Sequence, residues 1–297
     1  MFNTKSIFSW NIPDVLGGDP IKFAQLLVDG GFEGVYLKGG EGNIVFRMWP
    51  SSPWPTWGKN IRQELVDALR KVGLKVYIWH FLYGVDPAGE LSIADYQCTQ
   101  FHPDGYIWDA ESRFDEQPNA DANARFITNG LIKAHPDIPQ ALCWWALPKN
   151  PLNVNIQWHP IHVAKAFMER VNCVMPMMYW DGSTSQAALS YLAKSLGIWR
   201  GFCNLPIVPV GRAYTGDAGF GNPEAIKAFA QKVMEISVEK NLIGISWWLL
   251  DKASENSVWW EALKTTSKWS GPPQLSDKEK IERLVNAHKD LFPEMFE

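Results

Sequence analysis

The chain has 297 residues, of which 46% are hydrophobic and 20% charged, with a net charge of −4. That composition supports a large core and excludes the basic surface on which a nucleic-acid binder depends. No apolar run reaches the length of a membrane span, so no membrane partner is expected.

The opening stretch, MFNTKSIFSWNIPD, lacks the long apolar run of a signal peptide. Synthesis in the cytoplasm is therefore expected, and action on a cell wall would need non-classical release or phage-type lysis. The cysteines Cys98, Cys143, Cys173 and Cys203 form no close pair and no metal-ligand spacing, which reads as buried free thiols. Neither a metal nor an organic cofactor is called for.

Strand-like and helix-like runs alternate along the chain. Ser6–Ile12 is the first strand, and Asp19–Gly31 the first helix, stopped by Gly30-Gly31. Gly34–Gly40 is the second strand, followed by a long loop, Glu41–Lys59, that carries Trp49, Trp54 and Trp57 among prolines. Asn60–Val72 is helical, Lys75–Tyr83 is the third strand, and a helix around Ala88–Phe101 leads to the fourth strand, Gly105–Glu111. The pattern continues with a helix at Ala120–Ala134, a strand at Gln140–Ala146 and a helix at Pro160–Val171. Asn172–Trp180 is the sixth strand and Ser185–Leu196 the next helix. Pro206–Arg212 and Ile243–Leu250 are the last strands, with helices at Pro223–Lys240 and Val258–Lys268. Eight strands alternating with eight helices imply an α/β fold, an eight-stranded parallel β/α barrel of the TIM type, over residues 1–269. The turn at Gly17-Gly18 lacks the glycine pattern of a doubly wound nucleotide-binding sheet. Residues 270–297 open with a Pro-rich linker. Ser276–His288 then reads as a short amphipathic helix, capped by Ser276 and Glu279. So short a helix is marginal alone, so the tail is expected to dock on the barrel, a second copy or another chain.

In such barrels chemistry sits where strands end. The fourth strand ends in Asp109-Ala110-Glu111, whose carboxylates fall on one side of the strand, with Cα atoms about 7 Å apart. Two carboxylates suit glycosidic chemistry, one giving a proton to the leaving oxygen and the other supporting positive charge at the sugar. Glu111 is expected to hold a raised pKa as the acid, and Asp109 to stay ionised through hydrogen bonds from neighbours such as Tyr179. The bland alternative is a solvated strand exit. Against it stands the recurrence of polar and aromatic residues at nearly every strand end. The expected substrate contacts are Asn11, Lys38, Glu41, Trp79, His80, Trp144, Tyr179, Trp180, Asp181, Arg212 and Trp247. Several of the 16 Trp residues come in adjacent pairs, Trp144-Trp145 and Trp247-Trp248. One member of such a pair faces the barrel axis and the other the helices. His80 also fits a satisfied histidine at the core's edge, and Arg113, Asp115 and Glu116 read as a solvated loop.

With these residues in view, the chain resembles glycoside hydrolase family 25, the barrel lysozymes that cleave peptidoglycan. Gly34-Val-Tyr-Leu-Lys38-Gly-Gly-Glu41-Gly42 is similar to that family's second strand, Val76-Tyr-Ile-Trp-His80-Phe to its third, and Asp109-Ala-Glu111 to its Asp-x-Glu. Trp10-Asn11 stand where the family usually has an Asp. The second half, with Met175-Pro-Met-Met-Tyr179-Trp180 and Ser246-Trp247-Trp248, looks like the chitinase-type barrels of family 18. The tail looks similar to those of phage-type proteins. These resemblances imply a lysozyme-like or muramidase-like endolysin whose partner is a cell-wall polysaccharide. A chitinase-like glycosidase is the alternative, as is a non-catalytic barrel that binds glycan or builds a phage-type particle.

Overall fold

The computed structural model of the protein describes residues 2–45, 60–214, 222–269 and 271. The tryptophan-bearing loop at 46–59 and the tail with its expected helix lie outside the described residues.

Eight parallel strands form the barrel: β1 (Lys5–Ser9), β2 (Gly34–Glu41), β3 (Lys75–Leu82), β4 (Gly105–Ala110), β5 (Gln140–Trp145), β6 (Cys173–Met178), β7 (Val210–Arg212) and β8 (Ile245–Trp248), and a short strand at Ile44–Val45 pairs antiparallel with the end of β2. Neighbours in sequence are neighbours in space, and β1 pairs with both β2 and β8, which closes the barrel. The principal helices are α1 (Pro20–Asp29), α2 (Gln63–Lys71), α3 (Pro87–Phe101), α4 (Ala120–Ala134), α5 (Ile161–Met168), α6 (Ser185–Arg200), α7 (Pro223–Glu235) and α8 (Ser257–Thr265). This is the TIM-type barrel expected from the alternation.

The caps explain where several helices begin. Asp19 accepts from the backbone of Ile21 and Lys22, Asp86 from Gly89, and Asn222 from Glu224, each just ahead of a first-turn proline. The side chain meets an unsatisfied amide while proline presets φ and needs no partner for its nitrogen.

Two differences from the expected elements have local causes. The seventh strand is three residues long because Pro206 and Pro209 cannot donate to a ladder; Ile207 makes only isolated bridges, to Val174 and Leu242. After β5 the chain also forms an antiparallel hairpin, Lys149–Asn150 with Asn153–Gln157.

The strands divide the core into two layers. Inside the barrel lie Phe8, Tyr36, Tyr77, Trp79, Ile107, Cys143, Met175 and Val210. Between strands and helices lie Trp108, Trp144, Trp180, Trp199 and Trp247. Residues i and i+2 of a strand share a face, so a register shared between neighbouring strands fixes which side chains look inward. Asp109 pairs with Cys143, Cys143 with Met175, Met177 with Val210, and Val210 with Ser246. Continuing each strand by two residues places Glu111, Trp145, Tyr179, Arg212 and Trp248 on the inner side at the C-terminal end.

Lys5 ties the opposite end. Its buried ammonium donates to the carbonyls of Gly30, Leu263 and Thr266 at 3.1, 2.8 and 2.9 Å. Burial pulls its pKa down to about 8. Glu33 accepts from the backbone of both Lys5 and Trp269, so the first strand and the end of the helical shell share one anchor.

Candidate active site

Asp109 is the second-last residue of β4 and is 4% exposed. Glu111 follows in extended conformation and then starts the helical turn Ser112–Asp115. Burial drives the Asp109 carboxyl well above its usual range, and the charge of Glu111 drives it further. Burial raises Glu111 as well, while the Lys38 ammonium opposes both shifts. Burial therefore works against the expected ionised state of Asp109, and the two carboxyls compete for one proton. Asp109 is the more deeply placed of the two, and the donor that reaches it is the Cys143 thiol on β5, not Tyr179. Asp109 Oδ1 is buried and accepts no hydrogen bond among the described residues.

Lys38 points into the barrel from β2. Its Nζ lies 2.8 Å from Glu41 Oε2, 4.6 Å from the centroid of the Trp10 ring and 5.0 Å from that of Trp79. Burial lowers the Lys38 pKa, and Glu41, Asp109 and Glu111 counter it. Glu41 also accepts from the Tyr83 hydroxyl. Burial pushes its carboxyl up, but the hydrogen bonds from Lys38 and Tyr83 outweigh it and hold the group below the usual range. β2 departs from regular pairing between Lys38 and Gly40, where a β-carbon on Gly39 would sit 2.5 Å from Ile78 and one on Gly40 2.6 Å from His80. Irregularities of this kind re-aim side chains beside active sites.

The aromatic wall centres on Trp248. Its ring lies 5.5 Å from Phe8, 5.5 Å from Trp79, 6.1 Å from Trp10 and 6.3 Å from Tyr179. Trp79 forms the floor: it faces inward, is 2% exposed and donates its indole hydrogen to Ser9 O at 3.1 Å. Asp251, just past β8, accepts from the backbone of Trp10 and Asn11 at 2.9 and 2.8 Å and thereby holds the loop after β1. Burial pushes its carboxyl up to about 6. Asn11 itself turns its amide to Asp14 and lines, with Trp10 and Asp251, a cavity of about 200 Å³ at this rim. Arg212 is buried at the end of β7, with its guanidinium carbon 5.8 Å from the Trp180 and Tyr214 ring centres, while Asp181 is exposed.

Four expected substrate contacts are corrected. His80, Trp144, Trp180 and Trp247 are at most 2% exposed and face the helices. The reason is parity: each lies an odd number of residues from an inward position of its own strand. His80 lies 2.7 Å from Gly42 O through Nε2 and 3.0 Å from the Tyr106 hydroxyl through Nδ1. Trp180 stacks on Phe229 at 5.1 Å, and Trp247 packs edge-on to the same ring at 5.7 Å. The inward members of the two Trp pairs are Trp145 and Trp248.

The solvated reading of the loop after Glu111 holds for Arg113 and Glu116, which are exposed, and fails for Asp115. Arg113 lies over the Tyr83 ring at 4.6 Å. The Asp115 side chain is 3% exposed and accepts from the indoles of Trp144 and Trp145 at 3.1 and 3.0 Å. A signal for this existed in the spacing. Four residues beyond Glu111 on a helical turn is the same face. The run Ser-Arg-Phe-Asp-Glu nonetheless has the composition of an exposed loop.

A cavity of about 500 Å³ between α7 and α8, lined by Lys227, Met234, Thr265 and others, opens beside Ile245 at the start of β8. It lies at the opposite end of the barrel from the carboxylate pair.

No protein-family model matches the chain, and a search of curated proteins returns no match. Solved structures do resemble it. The spore cortex-lytic enzyme SleL of Bacillus megaterium QM B1551 aligns with a TM-score of 0.60 at 10% identity, over 89% of this chain and 74% of that one. A GH18 chitinase from Pseudoalteromonas aurantia aligns with a TM-score of 0.60 at 16% identity, over 88% and 99%. A class V chitinase from Nicotiana tobaccum, in complex with NAG4, aligns with a TM-score of 0.61 at 8% identity, over 90% and 99%. These structures support the family 18 side of the resemblance at the level of fold, and the family 25 side rests on the sequence motifs. At such identities the likeness establishes one thing: this chain shares the barrel fold of these chitinase-type proteins.

Proposed function

We propose that this protein is a glycoside hydrolase that cleaves a polymer of N-acetylated amino sugars, with peptidoglycan the favoured substrate and a chitin-like polymer the alternative. The observation that carries this reading is the Asp109–Glu111 pair, buried at Asp109 and half-buried at Glu111, facing Lys38 inside a ring of Trp10, Trp79 and Trp248. The negative charge of one carboxyl opposes that of the other in a site this dry, so one of the pair keeps its proton above the usual carboxylate range while the other carries the charge. Lys38 balances that charge.

Glu111 is the general acid. It gives its proton to the oxygen of the leaving sugar as the bond to the anomeric carbon breaks. The substrate's own N-acetyl oxygen closes on the anomeric carbon, a recognised exception to the two-carboxylate scheme. Asp109 accepts from the acetamido N–H through its unoccupied Oδ1 and offsets the positive charge of the cyclic intermediate. Glu111, now a carboxylate, takes a proton from the water that reopens the ring. Tyr179, half-buried beside Trp248, borders the same space. The likeness to SleL and to a chitinase in complex with NAG4 supports the substrate class.

The test is clearing of purified cell-wall suspensions alongside reducing-sugar release from chitin. Loss of turbidity or release of sugar is the expected result, and mass spectrometry of the products identifies the bond. Binding without cleavage of any N-acetylated glycan would replace the enzyme reading with a glycan-binding barrel, which Asn11 in place of a first-strand acid favours. Neither binding nor cleavage would overturn both.

A further inference from the structure

Asp115 is a buried carboxylate that the proposed mechanism does not use. It closes the helical turn Ser112–Asp115, and its backbone N–H donates to Glu111 O at 2.9 Å. Its two oxygens serve different indoles. Oδ1 accepts from Trp144 Nε1 at 3.1 Å and Oδ2 from Trp145 Nε1 at 3.0 Å. Those two tryptophans lie on opposite faces of β5, so one carboxylate grips both faces of the strand where it ends.

Trp145 is the inward member. Asp109 pairs with Cys143, and carrying that register two residues on sets Trp145 beside Glu111. The back of its ring is covered by His159, stacked at 4.2 Å with 10° between planes. His159 Nδ1 stands 3.7 Å from Asp115 Oδ2. The orientation of Trp145 is thus set by a hydrogen bond at its edge and a stacked ring behind it.

We propose that Asp115 is a positioning residue: by accepting from both indoles it fixes the face that Trp145 presents beside Glu111, and so determines how firmly the sugar next to the acid is held. This rests on the reading of the barrel mouth as a glycan site. An indole N–H is a donor only, and when buried it needs an acceptor. A carboxylate has lone pairs for two donors at once. An amide at the same place would turn its own N–H₂ toward one of the indoles, leaving two donors opposed.

The clamp also has a pH sense. Burial raises the Asp115 carboxyl to about 7; the two indoles lower it, and Glu111 and Glu116 raise it again. His159, whose own pKa burial lowers, faces it from the segment after the hairpin. The charged clamp holds both indoles more strongly than the protonated one, which must spend an oxygen as a donor. The grip on the sugar therefore tightens as pH rises through the neutral range.

The experiment compares Asp115→Asn, Trp145→Phe and the double variant in the full chain. It reads affinity for an N-acetylglucosamine oligomer, KM and kcat, and the indole ¹⁵N–¹H signals assigned with Trp144→Phe and Trp145→Phe. Asp115→Asn is expected to move both indole signals and to weaken oligomer binding about tenfold, the loss of one charge-assisted hydrogen bond. KM should rise by a similar factor while kcat stays within about threefold. In the Trp145→Phe background the same substitution should cost little, because the two act through one contact. Unmoved indole signals, or losses that simply add, overturn the proposal. If Asp115→Asn fails to fold, Trp145→Phe alone decides, since an unchanged KM there removes the reason for the clamp. A wild type that binds no glycan overturns the mouth reading and the substrate half of this proposal together, while the indole signals still decide whether the clamp exists.

Discussion

Three ionisable side chains at the barrel mouth act as one unit. Asp109 and Glu111 are both raised by burial, and Lys38 is the cation that limits the rise. Glu111→Gln keeps the shape and removes the proton, so hydrolysis should fall about a hundredfold or more while oligomer binding persists. Asp109→Asn should also slow turnover, through poorer support of the cyclic intermediate, with little change in urea unfolding, because the pair serves function at some cost to stability. Equal hydrolysis by Glu111→Gln and wild type would remove Glu111 from the role of acid. The pH profile carries the sign of the Lys38 effect. Activity needs protonated Glu111 and is lost as pH rises through its raised pKa. Lys38→Met removes the charge that holds this pKa down, so the alkaline limb of kcat/KM should move to higher pH. A limb that stays in place would reject the electrostatic coupling.

The paired tryptophans separate packing from function on a single strand. Trp247 is fully buried against Phe229, and a β-carbon on Gly211 would lie 2.6 Å from its ring, so the site has no slack. Trp247→Ala should cost about 3–5 kcal/mol in urea unfolding, through lost burial and the cavity left behind. Trp248 is partly exposed among Phe8, Trp10, Trp79 and Tyr179, so Trp248→Ala should cost less stability and far more oligomer affinity. Titration calorimetry beside unfolding curves checks the contrast. The reverse ranking would mean that the parity of β8 is misplaced. The carboxylates, Lys38 and the aromatic floor come from different strands, and only the shared register brings them to one layer.

Stability of the whole molecule depends on pH through groups that take no part in the proposed chemistry. His80 is buried with its Nε2 on a carbonyl, which can only accept, so that nitrogen carries a hydrogen. Burial lowers its pKa from 6.5 to about 4. Between those values the unfolded chain binds the proton and the native protein does not, so this contribution is intact above pH 6.5 and is lost as pH falls toward about 4. Gln at this position keeps a donor for Gly42 and cannot titrate. The melting-temperature gap between wild type and His80→Gln should therefore narrow steadily across that window. A gap of constant size would place the titration elsewhere. Asp251 runs the other way: its carboxyl is raised from 3.8 to about 6, so its contribution is lost as pH rises. A comparison of each variant with wild type, rather than the raw curve, isolates each group.

The sequence by itself determined the barrel, because strand and helix periodicities are local and repeat eight times in strict alternation. It also determined the Asp109–Glu111 pair, since two residues apart on a strand is one face whatever surrounds it. It carried the presence of the tryptophan pairs but not which member looks inward. That choice depends on registers between strands tens of residues apart, which no local pattern encodes. The same holds for His80, which belongs to the outer layer because β3 is phased by Trp79. Asp115 shows the limit most plainly. Its neighbours in sequence are those of a solvated loop, and its partners, Trp144, Trp145 and His159, lie 29 residues or more away along the chain. Only the closed barrel brings them around one carboxylate, because burial and the need to satisfy two indole donors arise from packing and not from chain order.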